Sequence, residues 1–334
     1  MLRVGIAFDL KADFAPRGGD ADGPDDLLEE FDSEATVDAI AGALEACGHV
    51  PVKLGGGRAL LERLLRDPPD LVFNIAEGRG TRSREAHVPA LCEMLAIPFT
   101  HADPLTSGLT LDKALAKRVV AGEGVPTPKW KVVEDVEVLA SLDLRFPVIA
   151  KPAFEGSSIG IRTSSLSKDP EALRVEVARL LGGYRQPVLV EEFCPGAELT
   201  VGILGTGAGA RAIGVMEIGP KRGTVADFVY SLEVKREWES LVEYSCPPRV
   251  DAATVKAVER VALAAYRTLG CRDVGRVDMR LDAEGRPNFI EVNPLPGLNP
   301  RTGDIVILAG KMGMSYEKLI GAIVEEARTR QGLQ

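Results

Sequence analysis

Over the first hundred residues, short apolar runs alternate with stretches of helical period, and this pattern restricts the fold more than anything else in the chain. LRVGIAF, VPVKL and DLVFNIA have the length and composition of strands. Between them lie SEATVDAIAGALEACG, with a serine cap and a glycine stop, and GRALLERLLRD. Strand and helix in strict alternation predict a parallel sheet with helices on its faces. The triple glycine at 55–57 follows a strand but lacks the G-x-G-x-x-G spacing of a dinucleotide site, so it reads as a strand-to-helix turn. KADFAPRGGDADGPDDLLEEFD is rich in Gly, Pro and acid and reads as a solvated loop. Its DADGPDD is no calcium loop, because Phe31 stands where an EF-hand needs its closing glutamate.

Composition narrows the function. The 334 residues suffice for two or three domains, and 45% hydrophobic with 27% charged residues is an ordinary globular balance. The net charge of −9 argues against nucleic acid as a main partner. No apolar run approaches a membrane span, and Asp9 comes too early for a signal-peptide core. Five scattered cysteines and no export signal predict reduced thiols and a cytoplasmic location. The three histidines are isolated, which leaves little for a zinc site or a Ser-His-Asp triad.

The alternation breaks near residues 103–126, where DPLTSG precedes a helix, LDKALAKRVVAGEG. FPVIAKP and SIGIRT then read as strands around a Gly/Ser loop, followed by a helix, DPEALRVEVARLL, and the strand PVLVEEF. Strands dominate from 197 to about 246 (ELTVGILG, ARAIGVMEIG), and helices return after 251. VGRVDMRL and PNFIEV flank DAEGR and predict a hairpin. Period-two alternation puts Arg276 and Asp278 on one face, as it does Glu291 and Asn293. With ordinary register Asp278 comes near Glu291. Such a patch either holds Mg²⁺ through hard oxygens or is an ion-paired face neutralised by Arg276 or Arg280. Lys151, ending a strand before Glu155-Gly156-Ser157-Ser158, suits either a phosphate cradle or a plain hairpin turn. VLVEEFCPGAELTV offers a strand end with three acids that could border a purine slot.

In this order, LDKALAKRVVAGEGVPTP, FPVIAKPAFEGSSIGI, VLVEEFCPGAELTVGILG, GCRDVGRVDMRLD and FIEVNPLPGLNP resemble the ATP-grasp enzymes, and within them the D-alanine–D-alanine ligase family, over roughly residues 70–330. The resemblance implies an α/β chain with α+β character in its C-terminal half, built as a three-domain ATP-grasp fold. Residues 1–105 would form an N-terminal parallel-sheet domain on the substrate side. Residues 106–186 would be a central subdomain with the Gly/Ser loop, and 187–334 a C-terminal domain with the metal site. It implies ATP and Mg²⁺ as cofactors, two ions that Mn²⁺ can replace, held by Asp278, Glu291 and Asn293. Lys113 and Lys151 would contact phosphates, with Glu155 and Ser158 beside them. Glu191, Glu192, Phe193 and Cys194 match the adenine hinge and Glu198 the ribose acceptor. Lys235 matches a γ-phosphate lysine on a closing loop, and Ser157 a loop serine facing the substrates. Arg276 matches the arginine that stabilises the transferring phosphate, and Gly297 an oxyanion-binding glycine.

The departures fall on the substrate side. The family's Ser-x-Glu segment has no clear counterpart in FDLKADFAPRGGDADGPDD, its His-Gly turn reads Glu77-Gly78, and Arg236 replaces a tyrosine. Glu77 and Glu85, or less strongly Asp32 and Glu34, are candidates for holding a substrate ammonium. Arg84, Arg236, Arg301 and Thr302, with Arg82, are expected near the substrate, where arginine forks would recognise an extra carboxylate. The expected activity is an ATP-dependent carboxylate–amine ligase working through an acyl phosphate on amino-acid or peptide-like substrates, not D-alanine alone. A homodimer is compatible with the resemblance. A genuine D-alanine–D-alanine ligase is the alternative within the class. A nucleotide-binding regulatory protein with an inactive ATP-grasp fold is the alternative outside it, and the full metal and arginine set argues against that.

Overall fold

The computed structural model describes residues 1–14 and 23–333. Strands β1 (Arg3–Ala7), β2 (Val50–Gly55) and β3 (Leu71–Asn74) form a parallel sheet in the order β2–β1–β3, as the alternation predicts. Helix Glu34–Ala46 starts where Ser33 Oγ accepts from the Thr36 N–H, and it packs Val37, Ile40 and Leu44 on one face of this sheet. Helix Gly57–Arg66 covers the other face with Leu60 and Leu64. The C-terminal helix Tyr316–Gln331 returns to the first face, where Leu319, Ile320, Ile323 and Val324 are fully buried. The two ends of the chain therefore share one core.

A second sheet contains β4 (Trp130–Val133), β5 (Val148–Pro152), β6 (Leu166–Ser167) and β7 (Val188–Glu192) in the order β4–β7–β5–β6. Because β7 lies between β4 and β5, this sheet continues past residue 186. Helix Pro170–Tyr184, capped by Asp169, packs Leu173, Val177 and Leu180 against it. The third sheet is antiparallel, with β8 (Glu198–Leu204), β9 (Arg211–Pro220), β10 (Val242–Ser245), β11 (Val274–Leu281) and β12 (Pro287–Asn293) ordered β10–β9–β8–β11–β12. Helices Lys113–Gly122 and Ala252–Thr268 bury one of its faces. No helix among the described residues is long and apolar enough to cross a membrane.

Three local readings need correction. SIGIRT is not a strand: Ser157, Ser158 and Gly160 have positive φ, and the Gly160 N–H is taken by Asp26 at 2.9 Å. DPLTSG is helical rather than a break, because Asp103 caps Pro104–Leu111 with its carboxylate on the Thr106 N–H. The described part of the acidic stretch, from Gly23, is not solvated throughout. Asp26 is fully buried and accepts from Tyr184 Oη at 2.8 Å, from Gly160 and from Arg162. The rest of DADGPDD lies outside the described residues.

Candidate active site

The predicted hairpin forms, and its register sets the site. Asp278 stands opposite Glu291 and Arg276 opposite Asn293. Asp282 closes the turn by accepting from the Glu284 and Arg286 N–H groups. Around the paired acids sit cations from the hairpin itself and from two other elements. Lys113, at the start of its helix, is 3.1 Å from Glu291. Arg276 meets Asp278 at 2.9 Å and Asp304 at 3.4 Å. Burial alone would raise the Glu291 carboxyl; the Lys113, Lys151 and Arg276 charges reverse this and hold it well below the usual carboxylate range. The second arginine weighed for this face, Arg280, turns away to Glu198 at 2.8 Å and to the Cys194 and Phe228 carbonyls.

The donor set fits Mg²⁺. Asp278 and Glu291 supply carboxylate oxygens, and Asn293 lies beside them with Nδ2 donating to Asp278 at 3.1 Å. Among the described residues no group of three or more His, Cys, Asp and Glu side chains converges as a protein-only metal site. Two carboxylates and an amide suit an ion that takes its remaining ligands from phosphates and water.

Two cavities meet at this hairpin and share Tyr230, Lys235, Arg276, Glu291 and Asp304 in their walls. The smaller, about 90 Å³, is a slot between Ile149, Val229 and Ile290, bordered by Glu191, Glu192, Phe193 and Cys194. Beneath it lies a buried charge chain. Glu191 holds Lys151 and Lys117, each at 2.7 Å, and all three are almost fully buried. Burial lowers the Lys117 ammonium, and Thr127 accepts from it at 2.8 Å. Burial would raise the Glu191 carboxyl too, but the two lysines outweigh it and lower it. Glu198 lines the slot with its carboxyl raised, chiefly by burial. Glu192 faces outward to Arg145 at 3.0 Å.

The larger cavity, about 460 Å³, adjoins the slot through these shared residues. Ser157 and Gly297 line it, and a side chain at Gly297 would meet nothing within 4 Å. Ser158 borders the slot instead, and its Oγ donates to the Tyr230 carbonyl at 3.0 Å. Lys235 sits 4.9 Å from the centre of the Tyr230 ring, with its ammonium lowered chiefly by burial.

The expected substrate residues divide. Glu77, Glu85, Arg236 and Thr302 line the large cavity; Arg84 and Arg301 do not. Arg84 is buried between Glu30 at 2.9 Å and Glu155 at 3.1 Å. Arg236 is engaged by Asp25 and Glu29, Arg82 lies 3.8 Å from Asp112, and Arg301 is exposed 3.6 Å from Glu239. The forks expected to read a substrate carboxylate are turned on the protein's own acids. That removes the footing for an acidic substrate.

Residues 119–325 match the family model described as D-ala D-ala ligase C-terminus. The D-alanine–D-alanine ligase of Bordetella petrii is 35% identical over 274 residues, covering 81% of this chain and 80% of that one. The chain belongs to the D-alanine–D-alanine ligase family. With that family it is an ATP-dependent carbon–nitrogen ligase of ATP-grasp fold. An uncharacterised protein, y4sG, of Sinorhizobium fredii is 34% identical over 88% of both chains. The crystal structure of D-alanine–D-alanine ligase from Bacillus anthracis complexed with ATP shares the fold, at TM-score 0.71 and 20% identity over 99% of both chains.

Beyond the residues expected from sequence, Tyr230, Asp304 and Glu30 line the cavities, and Lys117 lies beneath the slot. Lys117 was detectable, because LDKALAK puts it one helical turn after Lys113 on the same face. Glu30 was not: its partner Arg84 is 54 residues away and nothing local marks it.

Proposed function

We propose that the protein joins a carboxylate to an amine through an acyl phosphate, with ATP in the slot and the organic substrates in the large cavity. The observation that carries this reading is the Asp278–Glu291 pair, set among Lys113, Lys151 and Arg276 where the two cavities meet. In the first step the substrate carboxylate attacks the γ-phosphorus, the bond to the β-phosphate oxygen breaks and ADP leaves. In the second, the amine attacks the acyl carbon, the carbon–nitrogen bond forms, the bond to phosphate breaks, and the surplus amine proton passes to phosphate or water. Mg²⁺, held by Asp278, Glu291 and Asn293, would neutralise phosphate charge. Lys113, Lys151 and Lys235 would hold phosphate oxygens in line. Arg276 and the Gly297 N–H are suited to the oxyanion of the tetrahedral intermediate. Ser157 is suited to orienting a substrate. The apolar slot with the 191–194 strand end would hold the purine, and Glu198 a ribose hydroxyl.

A second reading, a D-alanine–D-alanine ligase, is favoured by the names of the relatives. One assay separates the two: ADP release by the purified protein with Mg²⁺ and ATP, over D-alanine and a panel of other amino acids and dipeptides. The first reading expects little release with D-alanine at millimolar concentration and many-fold more with another substrate. Robust D-alanyl-D-alanine formation would establish the second. Release from neither, with ATP bound, would defeat both.

A further inference from the structure

The substrate end of the large cavity has more carboxyl groups than the protein pairs with cations. Asp32, Glu77 and Glu85 line it from three separate stretches of chain, and none meets a cation within ion-pair distance among the described residues. The cations nearby are committed. Lys113 and Arg276 serve the hairpin acids, and Arg236 serves Asp25 and Glu29. Arg84 is a single guanidinium between two carboxylates, Glu30 and Glu155. Lys235 lies at the phosphate end over Tyr230, influenced by Asp304, Glu291 and Asp278 rather than by these three.

Glu85 is the decisive member. It is only 8% exposed, it lines the cavity, and among the described residues its carboxylate has neither a hydrogen-bond donor nor an ion-pair partner. A buried acid without a partner is costly for a fold, so its natural complement is a cation that arrives from solution. A metal ion is a poor candidate, since no metal-binding cluster of acids exists among the described residues. An organic cation with several N–H donors can satisfy carboxylates spread over one wall.

Resting on the ligase reading, we propose that at least one substrate is a diamino acid or comparably dibasic amine, whose two ammonium groups are received among Glu85, Glu77 and Asp32, the second of them by Glu85. The α-ammonium of a simple amino acid would compensate one of the three carboxylates and leave the others bare. In the empty cavity these acids tend to hold their protons, and an arriving ammonium would favour their charged forms. Burial pushes the Glu85 and Asp32 carboxyls up to about 7 and Glu77 well above the carboxylate range. This inverts the expectation of an extra substrate carboxylate, because the arginines are paired internally and the acids are not.

The test compares cationic with neutral isosteres: ornithine and lysine against norvaline and norleucine, as both enantiomers, with aspartate and glutamate as controls. In the ADP-release assay kcat/KM for a diamino acid should exceed that of its neutral isostere about tenfold or more. Glu85→Gln should erase that margin through KM while keeping the thermal shift induced by Mg²⁺ and ADP. Equal rates for lysine and norleucine, or a preference for acidic amino acids, would overturn the inference and leave the ligase reading intact. If no amino acid releases ADP, the ligase reading fails on this panel, and binding decides the inference separately. With Mg²⁺ and ADP present, lysine or ornithine should then raise Tm more than norleucine does, in the wild type and not in Glu85→Gln. Equal or absent shifts would overturn it.

Discussion

At Glu291 three positive charges act on one partly buried carboxylate, and the proposed phosphate site rests on this balance. Glu291→Gln or Asp278→Asn would remove the charge that a hard cation needs while keeping size and strand pairing. Each should lower turnover by about 10² or more while the protein stays folded, with Tm lowered by several degrees because the cations around each acid lose their partner. Thermal melting beside an ADP assay checks both halves, and near-normal turnover would remove these residues from the site. Turnover should also vanish when EDTA strips the divalent ion and return with Mg²⁺. The Lys117–Glu191–Lys151 chain makes a different prediction. Lys117 carries the second lysine charge on a carboxylate that is almost fully buried. Lys117→Met would leave part of that charge uncompensated and should destabilise the protein by about 3 kcal/mol, read from urea unfolding. A loss below about 1 kcal/mol would mean that the chain relaxes around the gap.

Among elements, the segment from Asp25 to Glu30 clasps two loops that border the site. Asp26 holds Gly160, Arg162 and Tyr184, Arg236 joins the 221–237 loop to Asp25 and Glu29, and Ser158 bonds the Tyr230 carbonyl. The exposed Arg236 pairs contribute little alone, whereas Asp26 is buried under several donors. Asp26→Ala should cost about 3 kcal/mol and open the Gly/Ser loop at 153–158 to limited proteolysis. In the wild type, cleavage in that loop and in 221–237 should slow when a non-hydrolysable ATP analogue closes them over the phosphates. Unchanged cleavage in both comparisons would exclude a clasp. The contrast between legible and illegible elements is physical. The β11–β12 hairpin is local: alternation plus the DAEGR turn fixes which side chains share a face, and the register follows. SIGIRT has strand-like composition, yet its backbone is set by Asp26 at 134 residues' distance, and no local window contains that bond. Asp25 and Glu29 look like a solvated acidic run until the fold brings Arg236 to them from more than 200 residues away.

For the whole molecule, the acid-lined cavity links stability to function. The Glu85 carboxyl, at about 7, is raised from an ordinary 4.5, and Asp32 is raised to about 7 from 3.8, in both cases chiefly by burial. Arg84, Lys113, Glu30 and Glu155 also act on Glu85, and Thr36 and Asp9 on Asp32. The folded state therefore holds protons that the unfolded chain has released. The stability from these groups is full below about pH 4 and is lost as pH rises through about 7. Glu85→Gln should accordingly gain Tm over wild type as pH rises from 5 to 8, a stabilising change at functional cost. A constant difference across that range would show that Glu85 does not titrate there. The proposed reaction joins the two cavities through one acyl phosphate, and oxygen tracing tests it most directly. The purified protein would be given Mg²⁺, ATP and a mixture of amino acids, diamino acids included, whose carboxylates carry ¹⁸O, and the released phosphate analysed by mass spectrometry. Transfer through an acyl phosphate moves one labelled oxygen into phosphate for each amide formed. Phosphate released without label would show that water, not a substrate carboxylate, attacks ATP, and would contradict the account.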